Sequence, residues 1–197
     1  MYWGERRSRV MQKKRIIRIA AATAFILLLP LVAMQFTDEV AWGAADFIIA
    51  GVLLFGAGLT YELVAAKGGD IAYRSAVGVA VATALILVWM NLAVGLIGSE
   101  DNPANVLYGG VLLVGFSGVI IAQFRPRGMA RAMFATALAQ ALVPVIALLI
   151  WKPDVATAEE IMGVVGVFIL NGFFVMLFVG SALLFRRAGG RGAAPIR

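Results

Sequence analysis

The stretch from Arg74 to Phe124 limits the fold more than any other. It begins on a cation, runs apolar from Ser75 to Gly98, and breaks at Ser99-Glu-Asp-Asn-Pro103. It then runs apolar again from Val106 to Phe124 and stops at Arg125-Pro-Arg127. Each run is close to the roughly 20 residues that carry a helix across about 30 Å of hydrocarbon. Such a pattern reads as a transmembrane hairpin with an acidic tip and basic feet, and similar hairpins lie on either side.

The composition agrees. Of the 197 residues 62% are hydrophobic, and the mean hydropathy is +0.93. Soluble domains sit nearer half apolar. One integral membrane domain is expected, with no room for a sizeable soluble one. The chain contains neither cysteine nor histidine. That removes disulfides, thiol chemistry, histidine-ligated haem, the common zinc sites and the usual general base. The pI near 10.2 would suit nucleic acid, but the cations are sorted by loop. Sorting of that kind points to membrane orientation, so no nucleic-acid partner is expected.

Six spans follow in order, at about 19–36, 45–65, 75–98, 105–124, 130–151 and 161–185, giving an all-α polytopic helix bundle over 19–185. Residues 1–18 form a basic segment with Arg6, Arg7, Arg9, Lys13, Lys14, Arg15 and Arg18 against Glu5. Met11 is an alternative start. The first apolar run exceeds the 7–15 residues of a signal-peptide core and no A-x-A site closes it, so it reads as an uncleaved span. Asn102-Pro103 has the form of a helix cap followed by a first-turn proline. Thr157-Ala-Glu-Glu160 has the form of a capping box. Residues 186–197 read as a basic, flexible tail.

With six spans, both termini and the loops at 66–74 and 125–131 share one side. Among the 17 cations only Lys152 falls on the other, where Asp38, Glu39, Asp46, Glu100, Asp101, Asp154, Glu159 and Glu160 lie. Lysine and arginine stay cytoplasmic during insertion, so both termini are expected inside. Trp42 and Trp151 fall at the outer edges, where amphipathic rings settle.

The hairpins show a weak internal repeat. Ala22-Thr-Ala24, Ala82-Thr-Ala84 and Ala135-Thr-Ala137 fall in the odd spans, and Gly51-Val-Leu-Leu-Phe-Gly56 resembles Gly110-Val-Leu-Leu-Val-Gly115. A real triplication would set Thr23, Thr83 and Thr136 in one layer and Asp46, Asn105 and Glu159 in an outer one, about an axis along the membrane normal. Abundant alanine gives the same matches without any repeat. Small residues recur on the third and fifth spans at Ala76, Ala80, Ala84, Ala135 and Ala139. That spacing permits close helix packing and makes the odd spans the expected interior. Pro30 and Pro144 fall inside odd spans, where each removes a backbone hydrogen bond.

No Asp, Glu, Lys or Arg falls at mid-span. Ion-coupled carriers and proton pumps usually place one there. The deep polar residues are Asn91, Gln140 and Asn171, with Thr23, Thr83, Thr136 and Ser117. They read either as interhelical hydrogen bonds or as a small polar intramembrane site, and Trp89-Met90-Asn91 is the most suggestive cluster. Glu62 calls for a cationic partner such as Arg74 or Arg131. Arg125, Arg127 and Arg131 fall where anionic headgroups lie and are candidates for lipid contact. The outer acids lack calcium-loop spacing and fit helix capping. No serine–histidine pair, metal-ligand cluster or phosphate-cradling loop is present. No catalytic, metal or cofactor site is expected.

Gln35-Phe-Thr-Asp-Glu-Val-Ala-Trp42 with Asp46-Phe47, and Gly98-Ser-Glu-Asp-Asn-Pro-Ala-Asn105, resemble stretches in a group of uncharacterised bacterial polytopic inner-membrane proteins. The resemblance covers about Arg15 to Trp151. It implies the bacterial cytoplasmic membrane and carries no activity with it. Two functions suit these residues. One is a non-enzymatic structural or accessory subunit that packs against itself or a membrane-protein partner. The other is a small transporter or channel for an uncharged or weakly polar solute. Membrane lipids are partners in both.

Overall fold

The computed structural model describes residues 2–37, 39–99, 101–151 and 157–191. It is all-helical over those residues, with α1 (Tyr2–Ala33), α2 (Ala44–Ala65), α3 (Ile71–Ala93), a 3-10 turn (Pro103–Val106), α4 (Leu107–Ala122), α5 (Pro126–Trp151) and α6 (Ala158–Arg191). Six of these helices are long and apolar enough to cross a membrane. Asp38, Glu100, the Lys152-Pro-Asp154 turn and the tail beyond Arg191 lie outside the described residues. So do the side chains of Trp151, Glu159 and Glu160, and with them the capping box.

The chain forms two compact units, Met1–Leu63 and Val64–Arg197. In the first, α1 and α2 run antiparallel, and three contacts fix their register. Leu27 meets Gly51 and Ile19 meets Gly58, where an added Cβ would lie 3.5 Å and 2.7 Å from those side chains. At the polar end Glu62 pairs with Arg15 (3.6 Å) and Arg18 (3.9 Å). The expected partners Arg74 and Arg131 belong to the second unit. An acid near one end of a hairpin meets cations of the antiparallel helix before those of distant loops. None of the apolar window of α1 is buried against α2, and the odd-span interior expected above bears on the second unit. The expectation does hold for α5, whose window is 39% buried, the largest share of the six.

In the second unit α4 packs on α5, α5 on α6 and α6 on α3, while α3 barely touches α4. Sequence neighbours in the expected second hairpin therefore find other partners. Small residues set the α4–α5 seam. A Cβ on Gly115 would lie 3.2 Å from Thr136 Oγ1, one on Gly118 2.8 Å from Ala132 Cβ, and one on Gly128 2.9 Å from Ala122 Cβ. Between helices that cross a membrane, where lipid is as apolar as leucine, such close backbone approach rather than hydrophobic burial drives association. Along α3 and α6, Ser181 Oγ donates to the Ala76 carbonyl at 2.8 Å, and the Tyr73 and Phe185 rings meet edge-on at 5.1 Å.

The basic end is tied at Tyr73. Its hydroxyl donates to the Phe124 carbonyl at 3.0 Å, and Lys67 Nζ lies 5.8 Å over the Phe124 ring. Gln123 and Phe124 both take positive φ, 48° and 60°. Left-handed backbone costs a non-glycine residue about 1–2 kcal/mol, and the Tyr73 and Lys67 contacts hold the turn in place. Because the reversal is finished by Phe124, Pro126 opens α5 four residues before the expected start, in the first turn that proline tolerates. At the same end α6 runs past Arg186-Arg187 to Arg191. Ala188 is buried, and a Cβ on Gly189 would lie 3.1 Å from Arg127 Cγ. Residues 188–191, expected in the flexible tail, are thus helical.

The third span also differs. α3 stops at Ala93, although residues 94–98 are as apolar as a span. Gly95 and Gly98 take φ of +69° and +70°, conformations that a helix cannot hold.

Candidate functional site

The segment that leaves α3 is fixed by one side chain. Asn105, buried in the 3-10 turn, accepts at Oδ1 from the amides of Leu96 (3.1 Å) and Ile97 (3.0 Å). Its Nδ2 donates to the carbonyls of Ser99 (2.6 Å) and Ile97 (3.4 Å). An amide supplies both donors and acceptors, so it can satisfy a loop that has no ladder of its own. Asn102 caps the same turn as expected, accepting from the Ala104 amide at 2.9 Å. Asp46, assigned with Asn105 to an outer layer, accepts from the Gly43 amide at 2.7 Å and so closes the start of α2.

This clasped loop forms one wall of a cleft of about 560 Å³, whose other walls are α5 at Pro144, Ala147 and Leu148 and α6 from Gly163 to Leu170. The volume lies within the range of about 300–1,000 Å³ usual for small-molecule sites. Among the described residues its lining carries no ionisable side chain, and Asn102 is the one polar residue there.

A buried polar cluster begins one helical turn from the cleft. Gln140 Nε2 donates to Asn171 Oδ1 at 2.8 Å. The Tyr108 hydroxyl donates to the same oxygen at 3.1 Å and accepts from Asn171 Nδ2 at 3.0 Å. Asn171 Nδ2 also donates to the Val167 carbonyl at 2.8 Å. All three side chains are buried. α4, α5 and α6 are therefore joined through one amide. Asn171 is saturated, but Gln140 Oε1 is buried without a partner. Turning the Gln140 amide over would set two acceptor oxygens together, so the network fixes its orientation.

Two residues flank both cleft and cluster. Val167, whose carbonyl is engaged, lines the cleft from α6. Pro144, one turn beyond Gln140, lines it from α5. Proline has no N–H, so the carbonyl of Gln140 lacks its α-helical donor. Residue 140 thus presents two acceptors without donors of the ordinary kind.

Of the polar residues expected to form an intramembrane site, the structure brings together Gln140 and Asn171. Thr83 and Thr136 are buried but satisfied on their own helices, donating to the carbonyls of Val79 (2.6 Å) and Ala132 (2.9 Å). Thr23 is half-buried on α1, within the first unit. Ser117 is exposed. Asn91 is half-buried near the end of α3, with Oδ1 unpartnered. Tyr108 and Ser181 were not foreseen. The available signal was chemical: a tyrosine inside an apolar run must find a partner for its hydroxyl. Arg125, Arg127 and Arg131 are exposed around the α4–α5 turn. Among the described residues no three of Asp, Glu, His and Cys gather to hold a metal ion. Comparison of the chain with protein-family models, with curated proteins and with solved structures finds no match.

Proposed function

We propose that this chain is a non-enzymatic, multi-pass protein of the bacterial cytoplasmic membrane, with both termini inside, that takes up a small uncharged or weakly polar solute through its second unit. The observation that supports this reading is the cleft between α5, α6 and the 94–102 loop, which ends one turn from the Tyr108–Gln140–Asn171 cluster. A helix assembly serving only as packing material gains nothing from a cavity of this size, or from a buried acceptor left unsatisfied one turn from it. Arg125, Arg127 and Arg131 would hold the basic end against anionic headgroups.

A second reading, the accessory subunit, draws on the first unit. Within that unit α1 buries none of its apolar window against α2, and Gly56 of α2 has open space where a Cβ would stand. A partner helix could use both.

The two readings part on whether water reaches the cleft. The chain lacks cysteine, so single cysteines report directly. Under the solute reading, Leu148→Cys and Gly166→Cys react with a small water-soluble thiol reagent in intact membranes, while Leu138→Cys, 63% exposed and outside the cleft, does not. Equal silence at all three positions would sink it.

A further inference from the structure

We propose that the side-chain amide of Asn102 is a polar contact for the solute in the cleft, and that this solute is an amphiphile whose polar end is a hydrogen-bond acceptor of the ketone or ester kind. This deepens the solute reading and rests on it.

Asn102 is half-buried and lines the cleft. The two ends of its amide are differently employed. Oδ1 accepts from the Ala104 amide at 2.9 Å, which fixes which way round the amide sits. Nδ2 has no acceptor among the described residues. It lies toward Gly98, which lines the same cleft. A Cβ built on Gly98 would stand 3.0 Å from Nδ2 and 3.9 Å from Asn102 Cβ and Cγ. The missing side chain of Gly98 therefore leaves the donor uncovered, and its φ of +70° disfavours any larger residue there. Capping alone does not call for this nitrogen, since serine or aspartate would cap the turn as well. An amide nitrogen only donates, so the group that complements it supplies a lone pair. On the α6 wall Gly163 and Gly166 line the cleft, and a Cβ added to either meets no atom within 4 Å. Their absent side chains leave room for a ligand. Ala147, Leu148 and Phe168 offer carbon surface to its apolar body. A ketone or ester thus gains a hydrogen bond that a hydrocarbon of the same size does not.

The test measures saturable binding of radiolabelled 2-undecanone to the full chain in particles of ether-linked lipid, which hold no competing ester. Asn102→Ser and Asn102→Asp each keep a capping oxygen for Ala104 and remove the donor. Each should weaken binding by about fivefold or more, the worth of one net hydrogen bond. Hydrogen exchange at the Ala104 amide, unchanged in both variants, separates loss of the donor from loss of the turn. In the unaltered protein the infrared carbonyl stretch of the bound ketone should lie below that of the ketone in lipid alone. Unchanged affinity in both variants, or a bound stretch equal to that in lipid alone, overturns the inference and leaves the solute reading standing. Absence of saturable binding also overturns it, and the solute reading falls as well only if Leu148→Cys and Gly166→Cys are silent. Loss of the ketone in particles of ester-linked lipid would assign the acceptor to a membrane lipid. Undiminished binding there would assign it to a free solute, with the Asn102 contact intact in either case.

Discussion

Replacing Asn171 with leucine should be far more damaging than replacing Gln140 with methionine, although the two side chains share a hydrogen bond. Asn171 satisfies Tyr108, Gln140 and the Val167 carbonyl at once. Asn171→Leu leaves the Tyr108 hydroxyl and Gln140 Nε2 buried with no acceptor. Orphaning a buried group costs about 1–3 kcal/mol, and measured interhelical bonds in membranes fall toward about 0.6 kcal/mol, with a maximum near 1.7. The loss should therefore be about 2–4 kcal/mol, taking the lower part of the first range for each group. Gln140→Met removes one bond, but it also removes the unpartnered Oε1, so its cost should stay below about 1 kcal/mol. In the double variant one orphaned group is gone, and the combined loss should fall short of the separate losses by about 1 kcal/mol. Reversible unfolding in bicelles with rising detergent, followed by tryptophan fluorescence, gives all four corners of the cycle. Strict additivity would refute the bond. A Gln140→Met loss equal to that of Asn171→Leu would refute the claim that Oε1 is unsatisfied.

Other outcomes follow from the same contacts. Gly118→Leu should destabilise the second unit by about 2 kcal/mol or more in the same assay, because its Cβ would lie 2.8 Å from Ala132 Cβ and 3.2 Å from that residue's Cα. Asn105→Leu should free the amides of Leu96 and Ile97. Hydrogen exchange at these two amides should then accelerate by at least about tenfold, roughly the effect of losing 1.4 kcal/mol of protection. For orientation, Ser99→Cys should react with a membrane-impermeant maleimide in intact cells, while Gly69→Cys should react only after the cells are opened.

The sequence shows six helices plainly, since uninterrupted apolar runs of membrane length leave the backbone no other way to satisfy itself in lipid. It does not show which helices touch. Every face of a span is apolar, so hydropathy carries no stripe that marks an interface, and α4 can turn from α3 to α5 without any trace in composition. Gly115, Gly118 and Gly128 mark that seam only once Thr136, Ala132 and Ala122 are seen opposite them. The end of α3 is hidden for a related reason. Residues 94–98 are apolar enough to continue a span, and what stops them is a pair of left-handed glycines held by an asparagine seven residues beyond Gly98. Gln140 and Asn171 stand out as deep amides, but their pairing depends on the register of α5 against α6. Tyr108 sits inside an apolar run, where only its hydroxyl's need of a partner sets it apart. Glu62 called for a cation, and only the antiparallel run of α1 decides that Arg15 and Arg18 supply it.

The most direct test of the central claim is the native mass of the protein released with its surrounding lipid and with nothing overexpressed beside it. The account predicts a retained small, uncharged molecule that disappears when Leu148→Trp fills the cleft. A stable complex with a different chain, with no small molecule and no effect of that substitution, would contradict it and turn the assignment to an accessory subunit.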